Sequence, residues 1–224
     1  MIVFAVVGII LEIILIVTYE KYLSQDWNVP GTRWNYLAFF TQITNIIVDS
    51  WLILVGVSIL TKHKKLYKLL TRVQVQGAIT LYIVVVGLIY CGILFWFTKL
   101  YPPVHWWGNL INAWHHIVVP LTMMILYIKM PHNGHVNWRN LAYWMIYPIA
   151  YLVLSEIRGI IDGWYAYPFL DPGTGVIFPL SLLGIVAVIT GLGWIMIYTH
   201  NLKCKGSCGK CRKCKKSGKL VTRS

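Results

Sequence analysis

The stretch VQGAITLYIVVVGLIYCGILFWFT, residues 75–98, decides the class of fold: it runs for 24 residues without one Asp, Glu, Lys, Arg or His. As a helix rising 1.5 Å per residue it spans about 36 Å, enough to cross roughly 30 Å of hydrocarbon. Only helices and closed barrels satisfy their backbone polar groups inside lipid, and this stretch lacks the period-two alternation of a barrel strand. Working outward, five more apolar stretches of similar kind lie at 2–18, 36–60, 108–128, 141–161 and 176–199. The reading is an all-α, six-transmembrane-helix bundle over residues 1–200, followed by a basic, Cys-rich tail, 201–224.

Composition supports this. Hydrophobic residues make up 58% of the chain and charged residues 12%, against about 25% charged in soluble domains. Eleven Trp and fourteen Tyr suit a protein that needs amphipathic rings at two membrane–water interfaces. A net charge of +13 raises the question of nucleic acid. Its location argues against that partner: nine of the twenty Lys and Arg follow His200 and five more lie between Lys62 and Arg72. Both clusters flank apolar spans, where a basic segment anchors to anionic lipid, so the bilayer is the expected partner. Met1 runs directly into the apolar stretch with no basic n-region, so residues 2–18 are expected to stay as the first span.

Orientation follows from the loops. Lys62, Lys64, Lys65, Lys68 and Arg72 occupy the second loop, and Lys129 and Arg139 bracket the fourth, with no acid in either. Basic loops stay inside, which places the tail and the N-terminus in the cytoplasm and the chain in the cell membrane.

Ionisable side chains within spans cost about 2.5–3.5 kcal/mol or more each, so each asks for a reason. They are Glu12, Asp49, His115, His116, Glu156 and Arg158. Thr41, Thr44, Asn45 and Asp49 follow i, i+3, i+4, i+8 along one helix face; Asn109, Asn112 and His116 follow i, i+3, i+7 along another. Arg158 and Asp162 form an i, i+4 pair. Helix rise sets all but Asp49 at one level in the outer half of the bilayer, describing a polar cup. Each group also has a plain structural reading. Thr and Asn stripes serve as interhelical hydrogen-bond glue, Arg158 as an interfacial ion pair, and a His as a satisfied core residue.

Three runs resemble a known family. WNYLAFFTQITN (34–45) is similar to the second helix of the androgen-induced membrane proteins, and more closely to their bacterial six-span relatives. NAWHHIVVP (112–120) resembles their His-containing fourth helix, and RGIIDGWYAYPFLD (158–171) their fifth helix and following loop. The likeness covers about residues 30–200. It implies an intramembrane hydrolase of lipid esters that uses a Thr nucleophile and a His. In an ungapped match the His falls on His115, with His116 beside it, and the Thr falls on Ala38, which has no hydroxyl. Thr41, one turn deeper on nearly the same face, is the hydroxyl available. A base must take its proton before it can attack, which His115 or His116 would do; Asn45, Asn112 or Arg158 would hold the developing oxyanion or the substrate carboxylate.

Two functions therefore stand. One is a lipid-ester hydrolase on Thr41 with His115 or His116. The other is a non-enzymatic membrane protein that binds or moves a small anionic or lipidic ligand, such as a fatty acid, through the same cup. No cofactor is implied. Cys204, Cys208, Cys211 and Cys214 form C-x3-C-x2-C-x2-C. Four thiolates can wrap one zinc, although a basic tail lying on anionic lipid accounts for the segment more simply. The 164–174 loop is rich in Trp, Tyr, Pro and Phe and reads as an interfacial belt or as a lid between glycines.

Overall fold

The computed structural model describes residues 1–18, 33–95, 106–130 and 136–206. Among these the regular structure is helical and there is no strand. Helix α1 covers Ile2–Thr18; a 3-10 turn, Arg33–Ala38, leads into α2, Phe40–Leu60. A short helix α3, Lys64–Leu70, precedes α4, Val73–Ile89, which continues through a π turn, Tyr90–Leu94. Helix α5 starts at Trp106–Ala113, passes through a π turn, Trp114–Val118, and ends as Val119–Lys129. Helices α6, Trp138–Asp162, and α7, Ile177–Gly206, complete the chain. Five of the helices, α2, α4, α5, α6 and α7, are long and apolar enough to cross a membrane; α1 is a shorter apolar helix.

Local chemistry sets several boundaries. The second helix begins at Phe40 rather than at residue 36, because Phe39 is extended and the preceding residues wind into the tighter 3-10 turn. In α5, Pro120 has no N–H to offer the carbonyl of His116, and the chain relaxes into π geometry just before it. Helix α6 opens on a reciprocal capping box between Asn137 and Asn140 and closes on Gly163 at φ 67°, a left-handed position suited to glycine.

Helix α4 is the centre of the bundle. On one side Ile83 and Val86 meet Val48, Leu52 and Val55 of α2 and Val119 and Met123 of α5. On the other, Leu81 and Val85 join Tyr127, Trp144, Ile189 and Ile197 of α5, α6 and α7. With no charge to place, α4 can be enclosed on all sides. Helix α1 packs antiparallel on α2, with Ile2 against Gly56 and Gly8 against the carboxyl group of Asp49. Helices α6 and α7 lie at the rim and turn large apolar side chains outward, Ile160 and Leu183 among them, as lipid-facing helices do.

Two indoles tie neighbouring helices together. Trp51 Nε1 donates to the carbonyl of Leu70 at 3.1 Å, and Trp144 Nε1 donates to that of Gln74 at 2.9 Å. The second bond fixes the indole of α6 over Gly77 of α4, where a Cβ would sit 2.7 Å from Trp144 Cζ2. Gly77→Ala is expected to destabilise the bundle by about 1–3 kcal/mol, the usual cost of overpacking. Gly184→Ala, where a Cβ meets nothing within 4 Å, should be neutral or stabilising; thermal unfolding of both in detergent checks the contrast.

Candidate functional site

The expected polar residues of α2 are all buried: Thr41, Thr44, Asn45 and Asp49. They do not face one centre. Thr41, at the start of α2, meets Tyr167 of the loop between α6 and α7. Its backbone N–H donates to the phenol oxygen at 3.4 Å, and the two hydroxyls lie 3.3 Å apart. Thr44 donates to the carbonyl of Phe40 at 2.7 Å and lies 3.0 Å from the hydroxyl of Tyr147 on α6. Asn45 donates back to the carbonyl of Thr41 at 2.9 Å, so it stiffens the first turn of its own helix. Asp49 points the other way, against Gly8 of α1.

Beside Thr41 a cavity of about 740 Å³, its open side included, runs between α2, α4, α6, α7 and the 167–170 segment. Phe40, Val85, Ile89, Pro148, Val186 and Phe169 are typical of its walls. Its polar residues are three, Thr41, Tyr151 and Tyr167. Tyr151 sends its hydroxyl hydrogen to the carbonyl of Ala38 at 2.8 Å. Burial pushes the phenol of Tyr167 above its ordinary range, while its bonds to Thr41 pull the other way. Tyr167 therefore keeps its hydrogen, and its oxygen accepts from the Thr41 N–H.

The imidazoles occupy two other environments. His115 is buried, with Nε2 3.4 Å from Glu12 Oε1 of α1. Glu12 accepts a hydrogen bond from Tyr36 of the 3-10 turn, and the Tyr36 hydroxyl also lies 2.8 Å from Gln42 Oε1. His116 turns toward α4, its ring stacked on Tyr90 with centroids 4.1 Å apart. Its Nδ1 lies 2.9 Å from the carbonyl of Asn112; a carbonyl only accepts, so Nδ1 carries the hydrogen. Asn112 in turn donates to the Tyr90 hydroxyl at 2.8 Å. His116, Asn112 and Tyr90 thus close one clamp between α4 and α5.

Arg158 forms a third group. It bonds to Asn35 of the 3-10 turn, pairs with Asp162 at 3.0 Å and sits 5.2 Å above the ring of Trp164. The sequence places Thr41, Asn45, Asn112, His115, His116 and Arg158 in one cup; the structure divides them among the cavity wall, the His115–Glu12 pair, the His116 clamp and the Arg158 clasp. Among the described residues no hydrogen bond joins Thr41 to either imidazole. The phenols that organise these groups, Tyr36, Tyr90, Tyr147, Tyr151 and Tyr167, read in the sequence only as interfacial rings. A usable signal was there for two of them: Tyr147 and Tyr151 lie one turn apart, facing Phe40.

Among the described residues no group of three or more His, Cys, Asp or Glu is placed to hold a metal. Cys208, Cys211, Cys214 and the side chain of Cys204 lie outside the described residues. No family model, curated protein or solved structure matches the chain.

The Tyr36 hydroxyl is what holds the buried Glu12 carboxyl in place. Removing it with Tyr36→Phe leaves a buried acceptor unpartnered, which costs about 1–3 kcal/mol. A drop of that size in unfolding free energy is expected, against a change within about 0.5 kcal/mol for the exposed Tyr143→Phe.

Proposed function

We propose that the chain is a six-span membrane protein of the cell membrane, with both termini cytoplasmic, that binds a lipidic ligand without cleaving it. The ligand is a single acyl chain ending in a small uncharged group such as a hydroxyl, ester or amide. The carrying observation is the cavity. Its walls are hydrocarbon, and its side-chain hydrogen-bonding groups among the described residues are confined to Thr41, Tyr151 and Tyr167. A chain can leave the bilayer between α6 and α7 and set its polar end against the Thr41 and Tyr167 hydroxyls, whose mutual bond at 3.3 Å is long enough to exchange. The 164–174 loop then acts as the roof of the site, through Tyr167, Phe169 and Leu170.

Hydrolysis, which the family resemblance implies, asks more of Thr41 than its surroundings offer. An attacking hydroxyl needs a base within hydrogen-bond reach. The neighbour of Thr41 is a phenol that keeps its proton, and His115 lies beside Glu12 of α1 instead of beside Thr41. A lining without a cation also disfavours a free carboxylate as the polar end.

Orientation and ligand are tested separately. A membrane-impermeant maleimide should label the tail cysteines Cys204, Cys208, Cys211 and Cys214 in inverted vesicles and not in sealed right-side-out ones. For the ligand, a fluorescent acyl alcohol should bind purified protein saturably, and Val186→Trp, which fills the cavity, should weaken it at least about tenfold, or 1.4 kcal/mol. A fluorophosphonate should leave wild-type protein unlabelled. Labelling that is lost in Thr41→Val would favour the hydrolase and end the binding-only reading.

A further inference from the structure

A second buried polar site lies where α1 packs on α2, beside the cavity and separate from it. Helices α1 and α2 run antiparallel, and two contacts fix their register: Ile2 meets Gly56 and Gly8 meets Asp49. One turn further along each helix, the same register sets Glu12 opposite Asn45. The imidazole of His115 enters from α5 with Nε2 3.4 Å from Glu12 Oε1, and Asp49 lies within electrostatic range of Glu12. Glu12, Asn45, Asp49 and His115 are each at least 97% buried.

The hydrogen-bond inventory of this pocket is out of balance. Glu12 Oε1, Asn45 Oδ1, Asp49 Oδ1 and His115 Nε2 are all buried and lack a hydrogen-bond partner. Three of the four are oxygens that accept and never donate unless protonated. Among the described residues the hydroxyl donor beside them is Tyr36, whose one hydrogen is shared between Glu12 Oε2 and Gln42 Oε1. Nor, among the described residues, does a permanent cation face the pocket. Among the described residues, the titratable side chains around it are Glu12 of α1, Tyr36 of the 3-10 turn, Asp49 of α2 and His115 of α5. His116 is turned to Tyr90 and Asn112, Arg158 is held by Asn35 and Asp162, and α4 carries no acid, base or His. Two carboxylates with a neutral imidazole would leave two uncompensated negative charges in a low-dielectric interior, where each such charge is heavily penalised.

We propose that this pocket is a proton-binding site that holds two exchangeable protons among Glu12, Asp49 and His115. Two protons make the group neutral and supply the missing donors. The imidazole can take only one of them beyond its own N–H, so at least one carboxyl carries the other. With one proton on Glu12, the carboxyl can donate to His115 Nε2; with it on His115, Nε2 donates back to Glu12, and Asp49 keeps the second.

Infrared spectroscopy of the full chain in nanodiscs reads this directly. Between about pH 5 and 8, the range in which exposed carboxylates are ionised, wild-type protein should show a protonated-carboxyl C=O band that shifts in D2O. Glu12→Gln and Asp49→Asn should each weaken or displace it, and the double variant should abolish it. Glu156→Gln, which alters a carboxyl on α6 outside the pocket, should leave it. Absence of the band from wild type overturns the proposal without recourse to any variant. So does a band that survives in the folded double variant, or one that is lost in Glu156→Gln. Loss of the wild-type band on titration with sodium chloride would reassign the pocket to a metal cation and equally overturn it.

Discussion

Everything in this bundle is arranged around a helix that has no charge to expose. Inside lipid the hydrophobic effect supplies no preference between a neighbouring helix and an acyl chain, so packing and the few interhelical hydrogen bonds must hold the elements together. Helix α4 meets that constraint by being enclosed on both sides by apolar clusters and by close approach at glycines. Gly77 admits the Trp144 ring, and Gly87 admits Pro120 and the backbone of His116. Helices α2, α5, α6 and α7 are positioned by what they place against α4, α1 packs on α2, and their polar side chains fall wherever that packing leaves them.

The polar groups consequently separate. Helix α2 has a cavity face, where Thr41 and Thr44 meet phenols of the 164–174 loop and α6, and an α1 face, where Asp49 lies against Gly8. In α5 the consecutive His115 and His116, both in the π turn, diverge by roughly a quarter turn around the axis; one reaches Glu12 of α1 and the other Tyr90 of α4. A hydroxyl and an imidazole at similar depth are therefore not a dyad. Depth along the membrane normal is one coordinate, and catalysis requires three.

The helices were legible in the sequence because long uncharged apolar runs admit few other structures; the observed α2, α4, α5 and α6 overlie the expected stretches within a few residues, while α7 continues to Gly206, past the expected end at 199 and into the basic segment. The 3-10 turn before Phe40 and the π turn before Pro120 lay below that resolution, although the proline gave its reason in advance. Burial of Thr41, Thr44, Asn45 and Asp49 followed from spacing alone. Partner choice did not. Spacing reports which residues share a face, while the facing helix is set by register, here by Ile2 on Gly56 and Gly8 on Asp49. The tyrosines were hardest to read, since a ring that anchors at an interface and a ring that hydrogen-bonds within a bundle have the same letter and the same taste for the membrane boundary.

The most direct test is native mass spectrometry of the protein released from mild detergent. The account predicts a non-covalent adduct of one acyl lipid per chain, removed by collisional activation to leave the unmodified polypeptide mass, and absent from Val186→Trp. A polypeptide that keeps a covalent acyl group, mapped to Thr41, or one that carries no lipid at all, would contradict it.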